Sequence, residues 1–232
     1  MSGRNNITTR KSMSKASKGY KGLAMEGFIA GWYATNTQKD IEEYKSLAKR
    51  LAETVVDGST VLEIAPGPGY LSIELAKLGN YKITGLDISK SFVEMAQKKA
   101  KEAGLSIDFR HGDAAHMPFD AETFDFIVCR AAFKNFSEPI QALKEMNRVL
   151  KPNGKALIVD LRRDVPQEVI EEYVDNMGLN RIDSLITKWI FKYMLIKRAY
   201  TKGEITEFVS RTEFRKCDIQ ETPIGLEIWL GK

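Results

Sequence analysis

The sequence predicts a doubly wound α/β fold: a mostly parallel sheet, a helical lid and a terminal antiparallel hairpin. Three observations carry that expectation. Short apolar runs alternate with helical patterns from Thr60 to Leu161, and regular βα alternation builds a parallel sheet with helices on both faces. The alternation stops at Leu161, where two helical patterns follow with no strand between them. Two β-rich runs then close the chain across Thr222-Pro223-Ile224-Gly225, a turn signal between strands.

The elements follow in order. From Asp40, the residues Ile41, Tyr44, Leu47, Ala48 and Leu51 share one helical face, and Asp57-Gly58 ends that segment. Thr60 to Ala65 is a short apolar strand. Leu71 to Leu78 reads as a helix stopped by Gly79. Lys82 to Leu86 is the second strand. Ser89 suits the cap of a helix running to Ala103, with Gly104 beyond it. Ser106 to Arg110 and Phe124 to Cys129 are the third and fourth strands. Ser137 suits the cap of a helix through Leu150, Pro152-Asn153-Gly154 reads as a turn, and Lys155 to Leu161 is the fifth strand. Beyond it, Pro166 to Met177 and Ile182 to Tyr200 are helical. The second of these is apolar around much of its circumference, which suits packing on the sheet or capping an apolar pocket; a membrane-surface helix is a further option. Glu204 to Arg211 is a helix, and Phe214 to Glu221 and Leu226 to Leu230 are the hairpin strands. The chain divides into a flexible basic tail over 1–25 and one domain over 26–232 with a helical insertion at about 165–202. In such sheets ligands lie beyond the carboxyl ends of the strands, where strand order reverses. Chemistry is therefore expected just after Ala65, Leu86, Arg110 and Cys129.

Charge distribution narrows the partners. Residues 1–25 hold six basic residues and no acid, leaving 29 basic and 31 acidic residues in the remainder. A body so close to neutral lacks the basic face of a nucleic-acid binder, so nucleic acid is not the expected partner. Cys129 and Cys217 are far apart and neither the cysteines nor His111 and His116 have zinc-site spacing, so no metal is expected. The basic N-terminus is followed by no apolar signal core. The most apolar run, Trp189 to Ile196, is interrupted by Lys192 and is too short to span a bilayer. A reduced, cytoplasmic protein is the simple expectation. The sequence carries no signal for oligomeric state.

The turn after the first strand, "VLEIAPGPGY", is the most informative stretch. A dinucleotide loop, G-x-G-x-x-G, needs small residues so that backbone can approach a pyrophosphate. Its positions here are Ala65, Gly67 and Tyr70, the third a bulky aromatic, and the second loop glycine falls at Gly69. Pro66 and Pro68 remove two N–H donors, and a loop short of donors is a poor anion cradle. The pattern suits a ligand without phosphate that still brings an adenosine and a zwitterionic chain, as S-adenosylmethionine does. Glu63, at the strand end, is placed to serve a cationic ammonium through water or a backbone network. Asp87 ends the second strand, where a carboxylate accepts both ribose hydroxyls; it also suits a turn before the Ser89 cap. Asp113 after the third strand is placed to accept from an adenine amino group, with the Ala114 N–H on a ring nitrogen and Ile88 and Met117 flanking the ring.

Together these residues resemble the class I S-adenosylmethionine-dependent methyltransferases. The resemblance covers about Gly31 to Asp160 and rests on "VLEIAPGPGYLSIELAKLG", "ITGLDIS", "GDAAHMPFDAETFDFIVCRAAFKNF" and "ALKEMNRVLKPNGKALIVD" in that order. It implies a Rossmann-like seven-stranded sheet of order 3-2-1-4-5-7-6, the last strand to enter being antiparallel. Within the family the chain is most similar to the branch of the ubiquinone/menaquinone C-methyltransferases and many small-molecule methyltransferases. "GFIAGWYATNT" resembles the aromatic segment that closes over the cofactor there, which implies contacts from Tyr33 and from Tyr20. Lys134-Asn135 stand where the quinone enzymes carry an Arg-Asn pair. Ala65 in place of the first glycine suits a residue with negative φ, and Pro68 is a second departure.

In-line methyl transfer from a sulfonium draws much of its rate from alignment and desolvation. No obvious general base is present; Tyr33, Arg130 and Asn135 are the candidates to orient an acceptor, and Tyr33 and Arg130 also for cofactor contact. Arg130 equally suits pairing with a carboxylate, His116 suits a structural or exposed role, and Arg162-Arg163 suit either an anionic substrate or solvent. The expected acceptor is a small, partly apolar molecule beneath the Ile182–Tyr200 helix and the Gly27–Thr37 segment. The competing readings are a nucleic-acid or protein methyltransferase, a nicotinamide oxidoreductase, and a non-catalytic S-adenosylmethionine-binding protein. Arg130-Ala131-Ala132-Phe133 lacks the Asn/Asp-Pro-Pro-aromatic stretch of the exocyclic-amine enzymes, and Tyr70 disfavours the nicotinamide reading.

Overall fold

The structure is a computed structural model that describes residues 19–21, 26, 27, 30, 31, 34 and 41–232. Tyr33 and most of the 1–25 tail lie outside the described residues. The elements are α1 (Ile41–Thr54), β1 (Thr60–Ile64), α2 (Tyr70–Ala76), β2 (Lys82–Asp87), α3 (Lys90–Glu102), β3 (Asp108–His111), β4 (Phe124–Arg130), a 3-10 turn (Phe133–Asn135), α4 (Pro139–Val149) and β5 (Leu150–Leu161). They continue with α5 (Gln167–Asp175), α6 (Arg181–Ile190), α7 (Lys202–Ser210), β6 (Lys216–Glu221) and β7 (Gly225–Gly231).

The seven strands form one sheet of order β3-β2-β1-β4-β5-β7-β6. The pairs β1/β2, β1/β4, β2/β3 and β4/β5 are parallel, and β7 runs antiparallel between β5 and β6. The period of two along each strand sorts the core into two layers. Leu62, Ile64, Ile127, Cys129, Ala156 and Ile158 pack with Leu143 and Met146 of α4. Val61, Ile83, Phe126, Val128 and Leu157 pack with Ala48 and Leu51 of α1 and Leu71 of α2. Each fully buried Leu or Ile contributes about 1.5–3 kcal/mol, and together they hold the strand ends in register. Strand order reverses between β1 and β4, so their carboxyl ends open the cleft where ligands bind.

Local chemistry explains the helix ends. The Ser89 hydroxyl accepts from the Phe92 N–H at 3.1 Å to start α3. Thr201 and Glu204 form a reciprocal capping box at α7. Three expectations are corrected. Ser137 does not cap α4: Pro139 occupies the first turn, with Glu138 before it, because proline lacks the N–H that a cap would serve. The Pro152-Asn153-Gly154 turn lies within the β5 span, with Asn153 at φ 65° and a register shift against Phe124/Phe126 of β4. The continuous 182–200 helix is broken: α6 passes into a π turn at Phe191–Leu195 and a 3-10 turn at Ile196–Arg198. Its apolar stripe does not pack on the sheet; no residue of α6 is buried.

Candidate active site

The loop after β1 spends every donor it has. Ala65 N–H donates to the Leu86 carbonyl at 2.8 Å, Gly67 N–H to Asp87 Oδ2 at 2.9 Å, and Gly69 N–H to the Pro66 carbonyl at 3.0 Å. Pro66 and Pro68 have none to give. The next donors belong to α2, and there Glu63 intervenes: its carboxyl accepts from the Ser72 N–H at 2.9 Å and from the Ser72 hydroxyl. A side-chain carboxyl thus takes the place at the helix start that an anionic ligand takes in a phosphate loop. Glu63 is buried, and burial raises its pKa to about 7. It organises the loop from beneath and does not line an open surface. Tyr70, buried at the start of α2, donates its hydroxyl to the Ala34 carbonyl at 3.0 Å and so ties the N-terminal segment to the loop.

Ala65 adopts φ 55°, against the negative value expected for a non-glycine residue. Ala131, at the end of neighbouring β4, does the same at φ 58°. Left-handed backbone costs an L-residue about 1–2 kcal/mol, and here it sits at the two strand ends that flank the order reversal, where strain commonly marks function. Ala65→Gly relieves the strain but frees the unfolded chain, so a net gain of about 0.5–1 kcal/mol is expected. A higher urea midpoint at unchanged m-value is the readout.

Asp87 holds the centre. Oδ1 accepts from the Ser89 N–H at 2.8 Å and Oδ2 from Gly67, leaving a further acceptor site on each oxygen. It is buried, and burial raises its pKa to about 6. Gly67, at φ 54°, would carry a Cβ that meets nothing within 4 Å, so the loop is open there. Asp113 Oδ1 accepts from the Ala115 N–H at 2.9 Å, and the His116 N–H closes the turn around Ala114 onto the Asp113 carbonyl at 3.0 Å. Gly19 packs over both sides: a Cβ on it would lie 2.7 Å from Ile88 Cδ1 and closer still to Asp113 Oδ2. From Ala65 to Gly69 the loop has no N–H left for a diphosphate.

On the β4/β5 side lies a second polar group. Lys134, buried in the 3-10 turn, reaches Asp160 Oδ1 at 2.7 Å and the Ala131 carbonyl at 2.6 Å. The other Asp160 oxygen accepts from the Lys134 N–H at 2.8 Å. The pair lines a small cavity with Phe133, Tyr200, Ile205, Leu226 and Ile228. The Tyr200 ring lies 6.0 Å from Phe133, and its hydroxyl accepts from Lys21 Nζ. Lys21 N–H also donates to the Asn135 carbonyl at 2.8 Å, and Ser137 N–H to Gly19 at 3.2 Å. Residues 19–21 therefore cross from Asp113 to Tyr200. Tyr20 has its pKa raised by burial, against the opposing charge of Arg198 and with smaller support from the carboxylates of Asp87 and Asp160.

The residues assigned from sequence divide accordingly. Ala65, Gly67, Gly69, Asp87, Ile88, Asp113 and Ala114 gather at the ends of β1, β2 and β3. Arg130 is held on α1, donating to Glu43 Oε2 at 2.6 Å with its guanidinium 4.2 Å from the Tyr44 ring centre. Asn135 is half-buried in the 3-10 turn. Arg162 pairs with Glu221 at 2.7 Å and Arg163 with Glu204 at 2.6 Å, His116 is exposed and Cys129 is buried in β4. Asp160 and Tyr200 carry no assignment from the sequence, and Lys134 enters there only as part of a motif. An acid closing the apolar run "ALIVD" was the available signal for Asp160.

Residues 62–158 match the family model of a methyltransferase domain. The chain is 30% identical over 179 residues to the demethylmenaquinone methyltransferase of Chlorobaculum parvum, covering 75% of this chain and 70% of that one. It is 32% identical over 183 residues to the ubiquinone/menaquinone biosynthesis C-methyltransferase of Blochmanniella pennsylvanica, covering 74% and 71%. Its fold matches the crystal structure of a candidate S-adenosyl-L-methionine-dependent methyltransferase of Methanococcus maripaludis with TM-score 0.73 at 22% identity, over 95% of this chain and 97% of that one. The sheet order, the donor-poor loop and these relatives lead to one conclusion: the chain belongs to the class I S-adenosylmethionine-dependent methyltransferases.

Proposed function

We propose that this S-adenosylmethionine-dependent methyltransferase acts on a small, partly apolar acceptor whose polar group meets the Lys134–Asp160 pair. The observation that carries the reading is that buried pair, beside a void of about 10 Å³ walled by Phe133, Tyr200, Ile205, Leu226 and Ile228; that void has room for one water, so an acceptor reaches the pair only when the segment over it moves aside. A charged pair removed from water is costly to keep, and beside an apolar wall it suits an acceptor with one polar end. The relatives named for demethylmenaquinone and for ubiquinone/menaquinone biosynthesis support an acceptor of quinol type.

The bound cofactor supplies a methyl group already activated by its sulfonium. The protein's part is then to bind, orient and exclude water. In this reading Asp87 holds the ribose hydroxyls, Asp113 and the Ala114 N–H hold the purine, and Ile88 packs on it. Residues 19–21, whose Gly19 lies against Asp113 and Ile88, move aside to admit the purine and then cover it. Lys134 and Asp160 orient the acceptor's polar atom. The Lys134 ammonium, paired with Asp160 at 2.7 Å, favours an acceptor oxygen that arrives ionised, its proton already lost to solvent. Tyr33, Arg130 and Asn135 stay as candidates for orienting the acceptor.

A screen of thiols, phenols, amines and quinols with purified protein and methyl-labelled cofactor tests this, with the product identified by mass spectrometry. Methylation of a quinol or phenol is expected. Label appearing only in nucleic acid or protein would overturn the acceptor class.

A further inference from the structure

The segment from α6 to Arg198 presents a face that nothing among the described residues covers. Ile182, Leu185 and Trp189 are 71%, 69% and 57% exposed, and Ile186, Tyr193 and Met194 are exposed beside them. These positions recur at three- and four-residue spacing, so the apolar atoms form one stripe. The Trp189 and Tyr193 rings lie 5.7 Å apart within it. An exposed stripe of this composition marks an interaction surface.

Its flanks are basic. Residues 179–202 contain Arg181, Lys188, Lys192, Lys197, Arg198 and Lys202 against a single acid, Asp183. Arg181, Lys188 and Lys192 follow one another at seven and four residues, along one border of the stripe. Lys192 and Lys197 place their ammonium groups 5.5 Å and 5.3 Å from the Tyr193 ring centre. Lys188 pairs with Asp175 of α5 at 2.8 Å and Lys192 donates to Gln167 at 2.7 Å, so among the described residues the charge left without an acidic partner at the edges of the apolar face is that of Arg181, Lys192, Lys197 and Arg198, less the acid Asp183.

This charge pattern selects the occupant. A second copy docked face to face would set the same basic flanks against each other. The N-terminal segment, with six basic residues and no acid in 1–25, would meet the same repulsion. A surface that offers apolar depth beneath a layer of negative charge satisfies both features. We propose that the α6–Arg198 segment docks in the plane of an anionic phospholipid surface, with Leu185, Ile186, Trp189 and Tyr193 in the acyl boundary and the lysines among the headgroups. The mode is peripheral, because no helix among the described residues is long and apolar enough to cross a membrane. The segment ends at Tyr200, which lines the Lys134–Asp160 cavity; the docking stands whether or not the acceptor is apolar.

The test is co-sedimentation of the full chain with phosphatidylcholine vesicles, with and without phosphatidylglycerol. The full chain is expected to bind the anionic vesicles at least about tenfold more tightly, and to weaken as salt rises. Leu185→Ser/Trp189→Ser is expected to lose about tenfold or more of that affinity while its unfolding midpoint and its S-adenosylmethionine affinity stay as in the parent. Equal binding to both vesicle types, or no binding, would overturn the proposal. So would full retention by the double variant, which would assign the attraction to the basic tail. Sedimentation equilibrium closes the remaining route: a dimer that the double variant dissolves would make the face an interface between copies and contradict lipid docking.

Discussion

Replacing Asp87 with alanine is expected to weaken S-adenosylmethionine binding by about ten- to a hundredfold. That range corresponds to about 1.5–3 kcal/mol for a hydrogen bond to a charged group. Asp87 accepts from Gly67 and Ser89 within the protein, so alanine also leaves two N–H groups without their acceptor. Asp87→Asn loses the charge but keeps one side-chain oxygen, so it leaves one of those N–H groups without its acceptor where alanine leaves two. Burial raises the Asp87 pKa to about 6, above its unfolded value near 3.9. The ionised form therefore costs the fold stability as pH rises through about 6, a cost the neutral Asn avoids. Binding has the opposite dependence: cofactor affinity of the parent falls as pH falls through about 6, because the carboxylate is the better acceptor. Calorimetric titration between about pH 5 and 8 is expected to show that fall in the parent and a flatter profile in Asp87→Asn. A Kd unchanged in Asp87→Ala would remove Asp87 from the site.

Lys134→Met carries the largest expected effect on stability. Breaking a buried ion pair from one side costs about 3–5 kcal/mol, because the partner stays buried and charged. Here Asp160 would keep the N–H groups of Lys134 and Leu161 but lose its cation. Lys134→Met/Asp160→Asn removes the orphaned charge, but its one amide oxygen can accept from only one of the two N–H groups, so it is expected to regain part of the loss in urea unfolding. In its folded state the double variant is expected to bind S-adenosylmethionine within a few-fold of the parent. Its methyl transfer is expected to fall by about ten- to a hundredfold, the value of one charged hydrogen bond to the acceptor. Transfer at the parental rate would show that the pair is structural and move the acceptor elsewhere.

The sheet was legible in the sequence because the first, second, fourth and fifth strands are short apolar runs each followed by a helical pattern, a sign that depends on local period alone. Asp87 was legible for a related reason: its place at the end of the second such run is a matter of spacing. Ala65 shows where local reasoning stops. Its φ is set by the chain passing between β1 and the loop, and the preference of alanine for negative φ yielded to that constraint. The Lys134–Asp160 contact depends on the register of β4 against β5, in which Arg130 stands beside Val159, and no local pattern encodes it. Glu63 was placed at the right strand end, but its partner, Ser72, is decided by how α2 turns back over β1. The apolar residues over 182–200 read as one helix apolar around much of its circumference; its break at Phe191 and the exposure of its apolar side are properties of tertiary packing.

The account rests on a cleft that recognises a sugar and a purine while its loop has no N–H free for a diphosphate. Calorimetry of the purified protein with S-adenosylmethionine, S-adenosylhomocysteine and NAD, side by side, tests this most directly. Saturable binding of the first two, with no heat from NAD, is the result expected. Saturable uptake of NAD, with none of the sulfonium compound or its demethylated product, would contradict it.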